Sequence, residues 1–119
     1  MRLGTETLDR LPGEIARPKY RRDQLQPGML HLGVGAFHRC HQAEWTDDAL
    51  DTDFGPWGVV GVNLRAPDLR SMLGDQDGYF CRITRNKGVD HTRLVGSIVQ
   101  AVSVLGADYD PHRLTLRRV

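Results

Sequence analysis

Gly33, Val34 and Gly35, with the Phe37, His38 and Arg39 that follow them, form the pattern in this chain best suited to chemistry. A G-x-G pair gains physical meaning where it joins a strand to a helix. The first glycine permits the tight turn, and the second lets backbone approach a pyrophosphate with no Cβ in between. The helix start beyond them adds unpaired N–H groups and the positive end of its dipole, both suited to phosphate. At the place of the usual third glycine stands His38. A bound dinucleotide also requires a carboxylate near the end of the second strand, to accept hydrogen bonds from the adenosine ribose. Asp68 is the first carboxylate past that strand and favours NAD by repelling the extra phosphate of NADP. Arg65 beside it, read as a phosphate clamp, argues the reverse, so NADP is not excluded.

His38, Cys40 and His41 invite a metal reading, but helix geometry points Cys40 away from the two histidines and no second cluster completes a tetrahedral set. No metal site is expected. Cys40 and Cys81 lie far apart with no C-x-x-C spacing, as reduced cytoplasmic thiols would.

The elements that must position the glycines are legible on either side. Pro27-Gly28 reads as a turn, and Met29 to Leu32 as a buried first strand. Phe37, His41, Trp45 and Ala49 recur at a spacing of four, which predicts an amphipathic helix to about Leu50 with Trp45 in the core. Trp57 to Val62, apolar on both faces, predicts a strand of a covered parallel sheet, with Trp57 also in the core. Pro67, Leu69, Met72, Leu73 and Gly74 suit a short capped helix. Tyr79 to Thr84 and His91 to Val95 flank Asn86-Lys87-Gly88, a hairpin signature. Val99 to Leu105 fits strand or helix equally, and Arg113 to Arg117 alternates as a further strand would. The fold class expected is α/β: an incomplete Rossmann-type parallel sheet with helices on both faces and an inserted β-hairpin. Residues 1–28 are assigned to an N-terminal extension and 29–119 to a partial nucleotide-binding domain.

With 119 residues there is room for one domain, and a net charge of +1 removes the electrostatic case for a nucleic-acid or membrane-surface binder. The cluster Arg17-Pro18-Lys19-Tyr20-Arg21-Arg22 suits a solvated face or, as an alternative, phosphate contact. No apolar run approaches a secretory signal or a membrane span, so a cytoplasmic location is expected.

The string from Leu30 to Ala43, LHLGVGAFHRCHQA, followed by Thr46-Asp47, resembles the opening of the long-chain mannitol dehydrogenase family, which includes mannitol 2-dehydrogenase, fructuronate reductase and tagaturonate reductase. The likeness continues through Trp57 to Val62, Leu64-Arg65, Gln76-Asp77 and Val95-Gly96-Ser97-Ile98. It implies an NAD(P)-dependent oxidoreductase moving hydride between nicotinamide and an open-chain polyol or sugar acid. By match of motif, Gly33, Gly35, Phe37, His38 and Arg39 fall at the cofactor's pyrophosphate and nicotinamide-side approach, and Asp68 at its ribose. Pro67 stands where some relatives carry an acidic residue. The family's lysine base, with its asparagine and histidine, lies in a later substrate domain, and neither Lys19 nor Lys87 matches that motif. No catalytic residue is therefore assigned. The expectation is a truncated or frame-shifted cofactor half, inactive alone, with polyol binding only in a full-length enzyme. The alternative is a non-enzymatic remnant or interaction module that no longer binds nucleotide.

Overall fold

β1, Pro27–Leu32, leads directly into the glycine turn and takes in the Pro27-Gly28 pair expected to precede it as a turn. The computed structural model describes residues 3–63, 73 and 76–103. Beyond the glycines the chain coils into a π-helical turn, His38–Gln42, continued by α1, Ala43–Thr52. β2, Gly58–Asn63, pairs in parallel with β1, Leu30 opposite Val60 and Leu32 opposite Val62. Every position of β2 is buried, as its apolar sequence predicts for a central strand.

The hairpin forms where Asn86-Lys87-Gly88 predicts it. β3, Phe80–Asn86, and β4, Val89–Val95, pair antiparallel, and Lys87 (φ 51°) and Gly88 (φ 80°) supply the left-handed pair of a type I′ turn. The ambiguous apolar stretch resolves as β5, Ile98–Ser103, parallel to β2 on the side away from β1. The sheet order β1-β2-β5, with the hairpin inserted before β5, is a partial Rossmann-like α/β arrangement. The expected helix around Pro67–Gly74 lies outside the described residues apart from Leu73, which is buried, and so does the alternating stretch Arg113–Arg117.

Three expectations about burial are corrected. β1 is an edge strand with Leu30 and Leu32 exposed, because no strand among the described residues pairs along its outer side. The Phe37, His41, Trp45, Ala49 stripe is not the inward face of the helix. Ala43, Asp47 and Leu50 point into the core instead, the polar Asp47 included, because it finds hydrogen-bond partners there. Trp45 and Trp57 accordingly stand 60% and 53% exposed and line an apolar groove of about 510 Å³ along β1.

Within the core, Val34 from the glycine turn packs with Ala43, Val59, Phe80, Val95 and Ile98. Glu44 of α1 is ion-paired with both Arg82 and Arg93, and Arg93 also reaches Asp48 at 2.6 Å, which binds the hairpin to the helix.

The N-terminal segment is tied to the sheet through its basic cluster. Arg17 donates to the carbonyls of Leu8 and Leu11 at 2.9 and 2.8 Å. Arg22 donates from Nε to the Gly96 carbonyl at 2.6 Å and from Nη2 to those of Asp77 and Ile98 at 2.6 and 2.9 Å, with its guanidinium over the Tyr79 ring. Arg22 is thereby drawn in from the solvated face expected of the cluster, while Arg17, Lys19 and Arg21 stand exposed as that reading has it. Arg22→Ala is expected to lower stability in urea melts by about 2 kcal/mol, because three carbonyls lose a charged donor together. Arg22→Lys is expected to recover little of that, since a point charge does not reproduce the planar fork. Arg21→Ala, at a largely exposed ion pair with Asp23, is expected to change stability by less than about 0.5 kcal/mol.

Candidate functional site

Gly33 sits at φ +94°, a left-handed conformation that strains any side chain, so the first glycine is demanded by the turn itself. Its N–H donates to the Val62 carbonyl at 2.7 Å, which hangs the turn from the C-terminal end of β2. Val34 packs down on Gly61, where an added Cβ would lie 2.5 Å from the valine Cγ2. Gly35 opens the helical run: its carbonyl accepts the Arg39 N–H at 3.1 Å. The N–H groups ahead of Arg39 have no carbonyl one helical turn back to receive them.

A Cβ built on either Gly33 or Gly35 meets no other atom of the described residues within 4 Å. Nothing in the packing of the described residues therefore excludes a side chain at Gly35. Its absence leaves an open cradle over a helix start, where the dipole favours negative charge. Arg39 adds a buried Nε–H that has no hydrogen-bond partner among the described residues. An open glycine cradle, unpaired N–H groups and an unsatisfied guanidinium N–H fit a pyrophosphate.

Phe37 projects into solvent at 65% exposure, its ring tilted against His41 at a centroid distance of 5.0 Å. His38 turns the other way. It is only 5% exposed, stacks on His31 of β1 with centroids 3.9 Å apart, and donates from Nδ1 to Gln42 Oε1 at 3.0 Å. Burial, with His31 beside it, holds its pKa below the usual histidine range. The π turn closes below this pair, with the Ala43 N–H donating to the His38 carbonyl; single π turns of this kind often accompany functional sites. Gly33, Gly35, Phe37, His38 and Arg39 are thus gathered at one strand-to-helix corner, whereas Asp68, with Arg65 and Pro67, lies outside the described residues.

The sequence reading missed two supports of this corner. His31 donates from Nδ1 to the Gly33 carbonyl at 2.6 Å; its signal was a polar residue inside an apolar strand immediately before the glycines. Asp47 is wholly buried one face round the helix, accepting from Tyr20 Oη at 2.6 Å and the Gly96 N–H at 3.0 Å. Burial pushes its carboxyl up to about 6, and burial together with Asp47 pushes the Tyr20 phenol well above its usual value.

A glycine turn on a parallel sheet, opening a helix at the ends of the strands, defines a nucleotide-binding α/β domain of Rossmann type. The family model of the mannitol dehydrogenase Rossmann domain matches residues 27–111, and the chain belongs to that family. It is 38% identical over 88 residues to mannitol 2-dehydrogenase of Cereibacter sphaeroides, covering 71% of this chain and 18% of that protein. To polyol:NADP oxidoreductase of Gluconobacter oxydans it is 40% identical over 98 residues, covering 78% of this chain and 20% of that protein. The structure of Pseudomonas fluorescens mannitol 2-dehydrogenase in a ternary complex with NAD and D-mannitol superimposes with a TM-score of 0.79 at 34% identity, over 87% of this chain and 22% of that one. The chain therefore spans about a fifth of the length of the relatives it matches.

Proposed function

We propose that this chain is the cofactor-binding portion of an NAD(P)-dependent oxidoreductase acting on an open-chain polyol or sugar acid. Residues 29–119 form the partial nucleotide-binding domain and residues 1–28 its N-terminal extension. The observation that carries the reading is the cradle at Gly33 and Gly35, open above a helix start. Gly33, Gly35, Phe37, His38, Arg39 and Asp68 make up the cofactor site, the glycines and Arg39 toward the pyrophosphate and Asp68 toward the adenosine ribose. NAD is favoured through Asp68, and the NADP named for one relative keeps the second cofactor in view. When bound, the nicotinamide supplies the hydride acceptor or donor. The residues of this chain bind and orient, and none acts as the base. Two free cysteines, Cys40 and Cys81, suit the reducing cytoplasm. No helix among the described residues is long and apolar enough to cross a membrane.

The test is a titration of the 119-residue chain with NADH and, in parallel, NADPH, following energy transfer from Trp45 and Trp57 to the reduced nicotinamide. Saturable transfer is expected, with NADH the tighter ligand; a folded chain showing none with either cofactor overturns the reading. Mannitol, fructose and fructuronate are expected to give no turnover with the same chain. Neither lysine of these 119 residues is placed to act as the base, Lys19 lying in the N-terminal segment and Lys87 in the hairpin turn, and doing without a general base typically costs about 10²–10⁴ in rate.

A second reading, an interaction module without nucleotide binding, draws on the outer side of β1, unpaired among the described residues, and on the groove beside it, lined by Leu30, Trp45 and Trp57. Saturable NADH binding by a monomeric chain counts against it.

A further inference from the structure

We propose that His31 is a positioning residue for the dinucleotide turn: its ring, held as the Nδ1–H tautomer and backed by the stacked ring of His38, fixes the peptide that follows Gly33. The proposal rests on the cofactor reading above and adds His31, which acts through the turn.

The tautomer follows from the partner. The Gly33 carbonyl only accepts, so the His31 Nδ1 at 2.6 Å must carry the proton. Gly33 is then clamped at both of its peptide groups, its N–H on the Val62 carbonyl at 2.7 Å and its carbonyl on the imidazole. A trans peptide is planar, with its C=O and N–H on opposite sides. Holding the Gly33 oxygen against His31 therefore aims the Val34 N–H the other way. A flip of this peptide would exchange donor for acceptor, and an anion-binding turn depends on successive N–H groups keeping one orientation. A glycine at φ +94° has no side chain to resist such a flip, so the restraint has to come from outside the turn.

His38 supplies the backing. Its ring lies 3.9 Å from that of His31 at an interplanar angle of 27°, and its Nδ1–H is directed to Gln42 Oε1 across the π turn. Its Nε2 is buried with no partner among the described residues, as befits the lone pair of a neutral ring. A proton there would bury an N–H with no acceptor against a second imidazole. Among the described residues that line the groove with the pair, Met29, Leu30, Thr46 and Val59 bring no charge. Arg39 and His41 are the cationic or titratable neighbours on its own turn, while Glu44 and Asp48 are engaged with the hairpin arginines. His38 thus backs the turn through the ring of His31.

The experiment combines NADH titration of variants with long-range proton–nitrogen correlation spectra of the imidazoles in the unliganded chain. Both rings are expected as Nδ1–H tautomers. His31→Phe keeps a ring to stack but removes the donor, and is expected to weaken NADH binding about tenfold or more. His31→Asn places a side-chain N–H near the lost Nδ1–H and is expected to return affinity to within about threefold of wild type. Two variants that bind as tightly as wild type, or that weaken equally while folded, overturn the positioning role alone. An Nε2–H tautomer at His31 overturns it even where a variant fails to fold. A wild-type chain with the expected tautomers but no NADH binding instead overturns the cofactor reading, and the positioning role falls with it.

Discussion

Replacing Gly35 by valine is expected to abolish measurable NADH binding while leaving the melting temperature of the chain within about 2 °C of wild type. The two halves of that expectation come from the same geometry. A Cβ at Gly35 meets nothing within 4 Å among the described residues, and the residue does not lie in the left-handed region, so their packing gives no reason to resist a side chain there. The space that the side chain enters is the cradle over the helix start, and a loss of about 100-fold or more in affinity corresponds to about 2.7 kcal/mol of lost phosphate approach. Gly33→Val is the contrasting control. Its φ of +94° imposes strain on the folded chain, so it is expected to lose about 1–3 kcal/mol of stability as well as binding. Energy transfer and thermal melts on the same samples separate the two effects. A Gly35→Val chain that binds NADH as wild type does removes the glycine turn from the cofactor site.

The second large effect concerns stability. Asp47→Ala is expected to cost about 3–4 kcal/mol in urea melts, because it leaves the Tyr20 hydroxyl and the Gly96 N–H, held at 2.6 and 3.0 Å, without their acceptor in a buried site. Asp47→Asn keeps the shape and a donor–acceptor pair. It is expected to lie within about 1 kcal/mol of wild type at neutral pH, and to differ from it in pH dependence. With the folded carboxyl raised from 3.8 to about 6, the folded chain holds a proton between those values that the unfolded chain has released. Proton uptake therefore favours the fold: the Asp47 contribution rises as pH falls through about 6 and levels off near 4, by about 3 kcal/mol in all. His38 works in the opposite sense. Its folded pKa is lowered, so the stability it confers is present at neutral pH and is lost on acidification below its unfolded value near 6.5. The difference between wild-type and Asp47→Asn curves, taken pH by pH, cancels the histidine and isolates the carboxylate. Parallel curves would show that the aspartate titrates as in the unfolded chain.

Elements set by neighbouring residues were legible in advance. Gly33 and Gly35 mark a real corner, Asn86-Lys87-Gly88 closes the hairpin it signals, and the unbroken apolar run of β2 is buried on both faces. What escaped was decided by partners distant along the chain. The helix shows its more apolar stripe to solvent because Asp47 is received by Tyr20 and Gly96, and no local periodicity reports either. β1 carries a core-like composition, yet among the described residues no strand pairs along its outer side, which leaves Leu30, Trp45 and Trp57 exposed together. At the site, the cluster of glycines with Phe37, His38 and Arg39 was legible from the motif. The inward turn of His38 onto His31 was not, because it depends on the π turn and on a strand residue read only as part of an apolar run.

The bonds of Arg22 set the order in which this chain can complete its fold. Its partners at Gly96 and Ile98 lie 74 and 76 residues further along. Thr5 likewise donates to Asp77, across a separation of 72. Local units such as the β3–β4 hairpin close within microseconds, whereas contacts of this span bear the loop-closure entropy of most of the chain. On the ribosome the bonds of Lys19 and Tyr20 to Asp51 and Asp47 can close early. Those of Thr5 and Arg22 have to wait until Asp77, Gly96 and Ile98 have left the exit tunnel.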